Sequence, residues 1–168
     1  LLLKNGVGGL FLVLIILSLF LHRRVVIWVA AGIPAALSVT LAFMLISGQS
    51  INMISLFALI MMIGIIVDDS IVVAEQIETQ HELGSDSFDA AFRGASKMLG
   101  PVTAASITTV AAFAPVLLIS GVIGQIISAI PLVVICVIFA SLFECFFVLP
   151  GHLAFALRNI SNIKKDKS

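Results

Sequence analysis

Two aspartates stand side by side in an otherwise apolar stretch, Ile63-Gly64-Ile65-Ile66-Val67-Asp68-Asp69-Ser70-Ile71-Val72-Val73. An ionised carboxylate at mid-membrane costs about 2.5–3.5 kcal/mol on insertion scales. Neighbours on a helix point about 100° apart, so both side chains cannot hide on one narrow seam. They need an interior made by other helices, with cationic or hydroxyl partners. A low-dielectric setting and a nearby like charge oppose ionisation of a carboxyl, and a nearby cation favours it. A pair held between those influences can take a proton from one side and release it to the other. The plainer alternative is that Asp68 and Asp69 only tie helices together. That task more often falls to Ser, Thr, Asn or Gln, which cost less to bury, so the pair is read as proton-carrying.

Other residues could support such chemistry. Thr108 and Thr109 lie in a run rich in small residues, Thr103-Ala104-Ala105-Ser106-Ile107-Thr108-Thr109-Val110-Ala111-Ala112. Small residues let helices approach closely and hydroxyls bond across them, so either threonine facing the pair would be a proton-path element, with packing the plainer role. Glu144 is acidic within another apolar run, about a turn and a half before Pro150 at 3.6 residues per turn. That spacing places it near the cytoplasmic interface, where snorkelling or pairing with Arg158 favours a structural role over proton transfer. His152, just past that run, reads as a solvated surface histidine. Cys136 and Cys145 would be roughly 13 Å apart along a helix at 1.5 Å per residue, beyond the about 7 Å a disulfide allows. No Cys/His spacing resembles a metal site. Asn159-Ile160-Ser161 matches a glycosylation pattern, which on the cytoplasmic side is chance.

The elements that must hold these residues are membrane spans. Of 168 residues 61% are hydrophobic and only 11% charged, against about 25% charged in soluble domains. Lipid must therefore be the solvent. Apolar runs of about 17–25 residues can cross a bilayer as helices. Reading between charges and turn-like breaks such as Ser47-Gly48-Gln49-Ser50 gives spans near 5–21, 26–46, 52–77, 102–119 and 126–149. Pro34 lies inside the second, which membrane helices tolerate, and Pro101 suits the first turn of the fourth. A cytoplasmic link, 79–99, is expected to hold one short amphipathic helix capped by Ser85, Asp86 or Ser87. Phe88, Ala91, Phe92, Ala95 and Met98 fall on its apolar face. A tail follows at 151–168. The fold expected is all-α, a single polytopic transmembrane bundle of about five spans.

Arg23, Arg24, Arg93, Lys97, Arg158, Lys164, Lys165 and Lys167 fall on one side of this five-span arrangement, and only Lys4 on the other. Cytoplasmic loops are the ones enriched in Lys and Arg, so the C-terminus is expected in the cytoplasm and the N-terminus outside. The chain begins at Leu1 inside an apolar run, and reads as a piece of a longer protein. A signal peptide fits poorly, because the basic cluster His22-Arg23-Arg24 follows the apolar run instead of preceding it.

The string Gly64-Ile65-Ile66-Val67-Asp68-Asp69-Ser70-Ile71-Val72-Val73-Ala74-Glu75 resembles the fourth-helix signature of the resistance–nodulation–division superfamily. More narrowly, it is similar to the hydrophobe/amphiphile, acriflavine-resistance-type efflux branch. Gly32-Ile33-Pro34, Ser50-Ile51-Asn52-Met53-Ile54-Ser55-Leu56, Thr108-Thr109-Val110-Ala111-Ala112-Phe113-Ala114-Pro115, Ser141-Leu142-Phe143-Glu144-Cys145 and Leu149-Pro150-Gly151-His152-Leu153 extend the likeness over nearly the whole chain. The resemblance implies helices two to six of a twelve-helix protomer, working as a homotrimer in the bacterial inner membrane. A periplasmic adaptor and an outer-membrane channel would be its partners, and a proton gradient rather than a cofactor would drive it. Asp68 and Asp69 match the family's proton-carrying pair. Ser70 stands where Ala is common and adds a hydroxyl beside the pair. The family's partner lysine, on the tenth helix, and its periplasmic drug-binding domain both lie outside this chain, so the chain is expected not to transport alone.

Rival readings are weaker. Intramembrane aspartyl proteases place their two aspartates on different helices, one within a Gly-x-Gly-Asp string, whereas these are adjacent. In a non-catalytic membrane scaffold or assembly subunit the acidic pair would be merely packing. Lipid or protein-export branches of the superfamily usually carry another polar pattern in the fourth helix.

Overall fold

A computed structural model describes residues 23–165 and, ahead of them, 8, 9, 11, 12, 15, 16 and 18. Those isolated early residues are helical, and the span expected at 5–21 otherwise lies outside the described residues. Among the described residues every regular element is a helix. Helix α1 covers Arg23–Ile46, α2 Met53–Glu82 and α3 Ser87–Phe113, which passes into a 3₁₀ turn at Ala114–Leu118. A short α4, Gly121–Ile127, leads to α5, Ala129–Phe143. One π-helical turn, Glu144–Val148, joins α5 to α6, Leu149–Lys165. Among the described residues four segments are long and apolar enough to cross a membrane: Val25–Ile46, Met53–Glu82, Ser87–Leu118 and Gly121–Arg158.

The chain signals where these helices start and stop. Asn52 caps α2: its Oδ1 accepts from the Ile54 and Ser55 amides, both at 2.9 Å, while Ser55 Oγ accepts from the Asn52 amide at 2.8 Å. This reciprocal box satisfies donors a helix N-terminus otherwise leaves orphaned. Before it, Gly48 turns the chain with φ +70°, a conformation that costs glycine little. Asp86 is the cap of α3, its Oδ2 accepting from the Phe88 amide at 3.4 Å.

Helix α3 differs from the expected short connector followed by a separate span. It runs without interruption from Ser87 through Pro101 to Phe113. Pro101 removes a single helical hydrogen bond, and no cluster of turn-forming residues follows to end the helix. Its neighbours carry it through.

Helix α2 is the centre of the bundle and packs against α1, α3, α5 and α6. Its buried face runs Leu59, Met62, Ile66, Ser70, Val73, Ile77, the three- and four-residue steps of one helical stripe. Val25, Val29, Ile33 and Ala36 of α1 and Val133, Val137 and Ser141 of α5 present matching stripes. At the end carrying most of the basic residues, Trp28 of α1 stacks on His152 of α6 with ring centroids 4.4 Å apart. Phe88 of α3 meets Phe155 of α6 edge-on at 6.0 Å. His152 is thus exposed at its edge but packed on one face, not freely solvated.

Candidate functional site

Asp68 and Asp69 fall near the middle of α2, about 20 Å from either end at 1.5 Å per residue. Their side chains part company. Asp68 is exposed on a face this chain leaves uncovered, while Asp69 is half-buried against α5 and Ser70 is fully buried. The angular step between helical neighbours produces that division.

Asp69 accepts a hydrogen bond through Oδ2 from the Ser141 hydroxyl of α5 at 3.1 Å. One step along α2, the Ser70 hydroxyl lies 2.9 Å from its own helix's Ile66 carbonyl and 3.1 Å from Glu144 Oε2, two acceptors for one proton. Cys145 fills the space between. Its Sγ is 3.4 Å from Ser70 Oγ, 3.6 Å from Glu144 Oε2 and 4.0 Å from Ser141 Oγ. Asp69, Ser70, Ser141, Glu144 and Cys145 therefore form one connected polar cluster between two helices.

The π turn is what admits Glu144. Ser141, Cys145, Leu149 and Leu153 keep α5 and α6 in register with the core at four-residue steps, and the wide turn directs Glu144 inward beside them. Such turns recur at functional sites. Gly32 of α1 supplies the room: a Cβ there would collide with the Glu144 carboxyl. Glu144 is 2% exposed, and its Oε1 has no hydrogen-bond partner.

This corrects the interfacial placement of Glu144. The expectation counted back from Pro150 as the end of the span, whereas the helix continues past Pro150 to Lys165. Glu144 is thereby carried into the bundle interior. Cys145 belongs to the same buried polar cluster.

Thr108 and Thr109 sit apart from the cluster. Their hydroxyls bond back to the Ala104 and Ala105 carbonyls of their own helix at 2.8 and 3.0 Å, and Thr108 is exposed. The residue α3 buries in this stretch is Ser106. The close helix contact expected from the small residues also lies elsewhere, where Gly94 of α3 sits against Ile77 of α2. Among the described residues no group of three His, Cys, Asp or Glu side chains could hold a metal ion. Ser141, Cys145 and Gly32 were not singled out by sequence as site residues. The signal available was the spacing: Ser141, Glu144 and Cys145 share one helical face.

The family model for AcrB, AcrD and AcrF matches residues 2–167. The chain belongs to the AcrB/AcrD/AcrF family. It is 32% identical over 148 residues to the multidrug resistance protein MdtC of Pantoea ananatis, covering 88% of this chain and 14% of that protein. Against MdtC of Proteus mirabilis it is 35% identical over 131 residues, 78% of this chain and 13% of the relative. Against MdtC of Shigella flexneri it is 38% identical over 117 residues, 69% and 12% respectively. The chain thus spans a small part of the length of these relatives. The AcrB/AcrD/AcrF family is a branch of the resistance–nodulation–division superfamily, which the Asp68–Asp69 string resembles.

Proposed function

We propose that this chain is part of the proton-translocating membrane domain of an inner-membrane proton/drug antiporter exporting drugs or amphiphiles, with Asp68 and Asp69 as its proton carriers. The observation that carries this reading is the adjacent carboxyl pair halfway along a buried membrane helix. Intramembrane ionisable groups are expensive, and mark ion pathways when they are kept. The differing surroundings of the pair support it: Asp69 is held by Ser141, and Asp68 faces outward. In the family that resemblance implies, a lysine of the second-half bundle would lie opposite Asp68. The remaining half-bundle, the periplasmic domains, a homotrimeric arrangement, the adaptor and the outer-membrane channel are the partners this reading calls for. The chain by itself holds half a proton site and no drug site. Purified and reconstituted in proteoliposomes, it is expected to show no uphill export, and any such export would refute that part of the reading.

The deciding experiment is dye efflux from energised cells carrying the full-length parent with Asp68→Asn or Asp69→Asn, at matched membrane expression. Both substitutions are nearly isosteric. Efflux is expected to fall to the background of cells without the pump while trimers still assemble. Undiminished, proton-dependent efflux in both variants would make the pair structural and end the proposal.

A further inference from the structure

The proposed proton carriers do not account for the second carboxyl of the cluster. Glu144 is buried between α1, α2 and α5, and three features of its surroundings go beyond what packing requires. Gly32 leaves no side chain where the carboxyl lies. Ser70 and Cys145 approach Oε2 at 3.1 and 3.6 Å. Oε1, on the other side of the carboxyl, has no hydrogen-bond partner. A group serving only to join helices would be better as a glutamine or serine, since an unmatched polar atom in a buried site costs about 1–3 kcal/mol.

We infer that Glu144 is a second proton-binding carboxyl of the membrane domain, exchanging its proton with Asp69 through Ser141, Cys145 and Ser70. The exchange with Asp69 rests on that residue being a proton carrier, as proposed above; proton binding by Glu144 does not. The path is continuous in the structure. Asp69 Oδ2 meets Ser141 Oγ at 3.1 Å, Ser141 Oγ lies 4.0 Å from Cys145 Sγ, and the thiol reaches Glu144 Oε2 at 3.6 Å or Ser70 Oγ at 3.4 Å. In one transfer an O–H bond of protonated Asp69 breaks and an O–H bond forms on the Glu144 carboxylate. Each hydroxyl or thiol between them gives up one hydrogen and accepts another, and no electrons change hands. The Ser141–Cys145 separation, within one continuous helix, is the longest step, whereas Asp69–Ser141 and Ser70–Glu144 bridge two helices, so a small movement of α5 against α2 would open or close the path there.

The groups that face Glu144 are few. Helix α2 contributes Ser70, with Asp69 one residue away and Asp68 beyond it; the π turn contributes Cys145; α5 contributes Ser141; and α1 contributes Gly32, which carries no titratable side chain.

Infrared difference spectra of the full-length parent across a pH jump test this directly, through the C=O stretch of protonated carboxyls. The expected result is a carboxyl band that disappears in Glu144→Gln, a variant that keeps the shape and elutes as an intact trimer. Its titration midpoint is expected to move by about one pH unit or more in Asp69→Asn, the interaction expected of coupled sites. Ser141→Ala, which removes the hydroxyl that donates to Asp69 but leaves both carboxyls in the chain, is expected to slow proton exchange at that band at least several-fold. Identical spectra in wild type and Glu144→Gln would overturn the inference. A band that vanishes in Glu144→Gln but is indifferent to both Asp69→Asn and Ser141→Ala would overturn the exchange with Asp69. Efflux surviving in Asp69→Asn would instead count against the aspartate reading, and leaves the Glu144 band to be judged by itself.

Discussion

A Cβ at position 32 would run into the Glu144 carboxyl, and that carboxyl cannot simply swing aside, because Ser70 and Cys145 hold its other oxygen. Gly32→Ala is therefore expected to destabilise the full-length protein by about 1–3 kcal/mol, the usual range for overpacking, read as a lower melting temperature in detergent. Glu144→Asp, one methylene shorter, is expected to restore most of the loss when combined with Gly32→Ala. A full loss in the double variant would mean that the clash lies elsewhere. At this scale the sequence was legible where charge is rare. Asp68 and Asp69 stood out because no other charged residue lies between Val25 and Ala74, whereas Ser141 did not, because a hydroxyl in a membrane helix usually bonds to its own backbone. Ser38, Thr40, Thr79, Thr108 and Thr109 all do so here. Ser141 reaches across to another helix, and Ser70 does so besides facing its own Ile66 carbonyl; their residue type alone does not distinguish them from the others.

Between helices, one constraint set by backbone atoms is the approach of α3 to α2. A Cβ on Gly94 would meet Ile77 Cα at 2.6 Å and its backbone nitrogen at 2.7 Å. Backbone atoms of a packed helix cannot rotate away, so Gly94→Ala must push the two helices apart. The expected cost is at or above about 3 kcal/mol, the upper end for overpacking. Ile77→Ala should not rescue it, since the Cα remains. Gly100→Ala on the same helix is the control: apart from its own chain neighbours nothing lies within 4 Å of its Cβ position, so no other helix is displaced there. Equal melting temperatures for the Gly94 and Gly100 variants would contradict the packing described. Helix identity and the α1–α2 boundary could be read from sequence because apolar runs, the Ser47-Gly48 turn and the Asn52 cap coincide there. The unbroken α3 and the π turn before α6 could not. Each depends on how much a single proline or one extra residue per turn costs, and tertiary contacts settle that balance.

For the molecule as a membrane protein, the arrangement of positive charge carries the orientation argument. The turn between α2 and α3 and the start of α3 lie close to Arg93 and Lys97, while the turn between α1 and α2, from Ser47 to Asn52, has no charged residue. One helical segment of membrane-spanning length separates the two turns, and two separate the second turn from the C-terminal basic residues; an odd or even number of crossings fixes which share a side. The turn at residue 85 and the stretch from Arg158 to Lys165 then fall together, on the side opposite residue 49. On the function proposed above that shared side is the cytoplasmic one, the side that the positive-inside rule favours. Single cysteines at Gln49→Cys and Ser85→Cys, placed in the full-length parent after Cys136→Ala and Cys145→Ser, convert this into a measurement. A membrane-impermeant maleimide added to spheroplasts is expected to label the first and to reach the second only in everted vesicles. Labelling of both from the same face would break the α2 crossing on which the mid-membrane position of Asp68 and Asp69 depends. Reversed labelling would keep the crossing but invert the direction in which protons reach the pair.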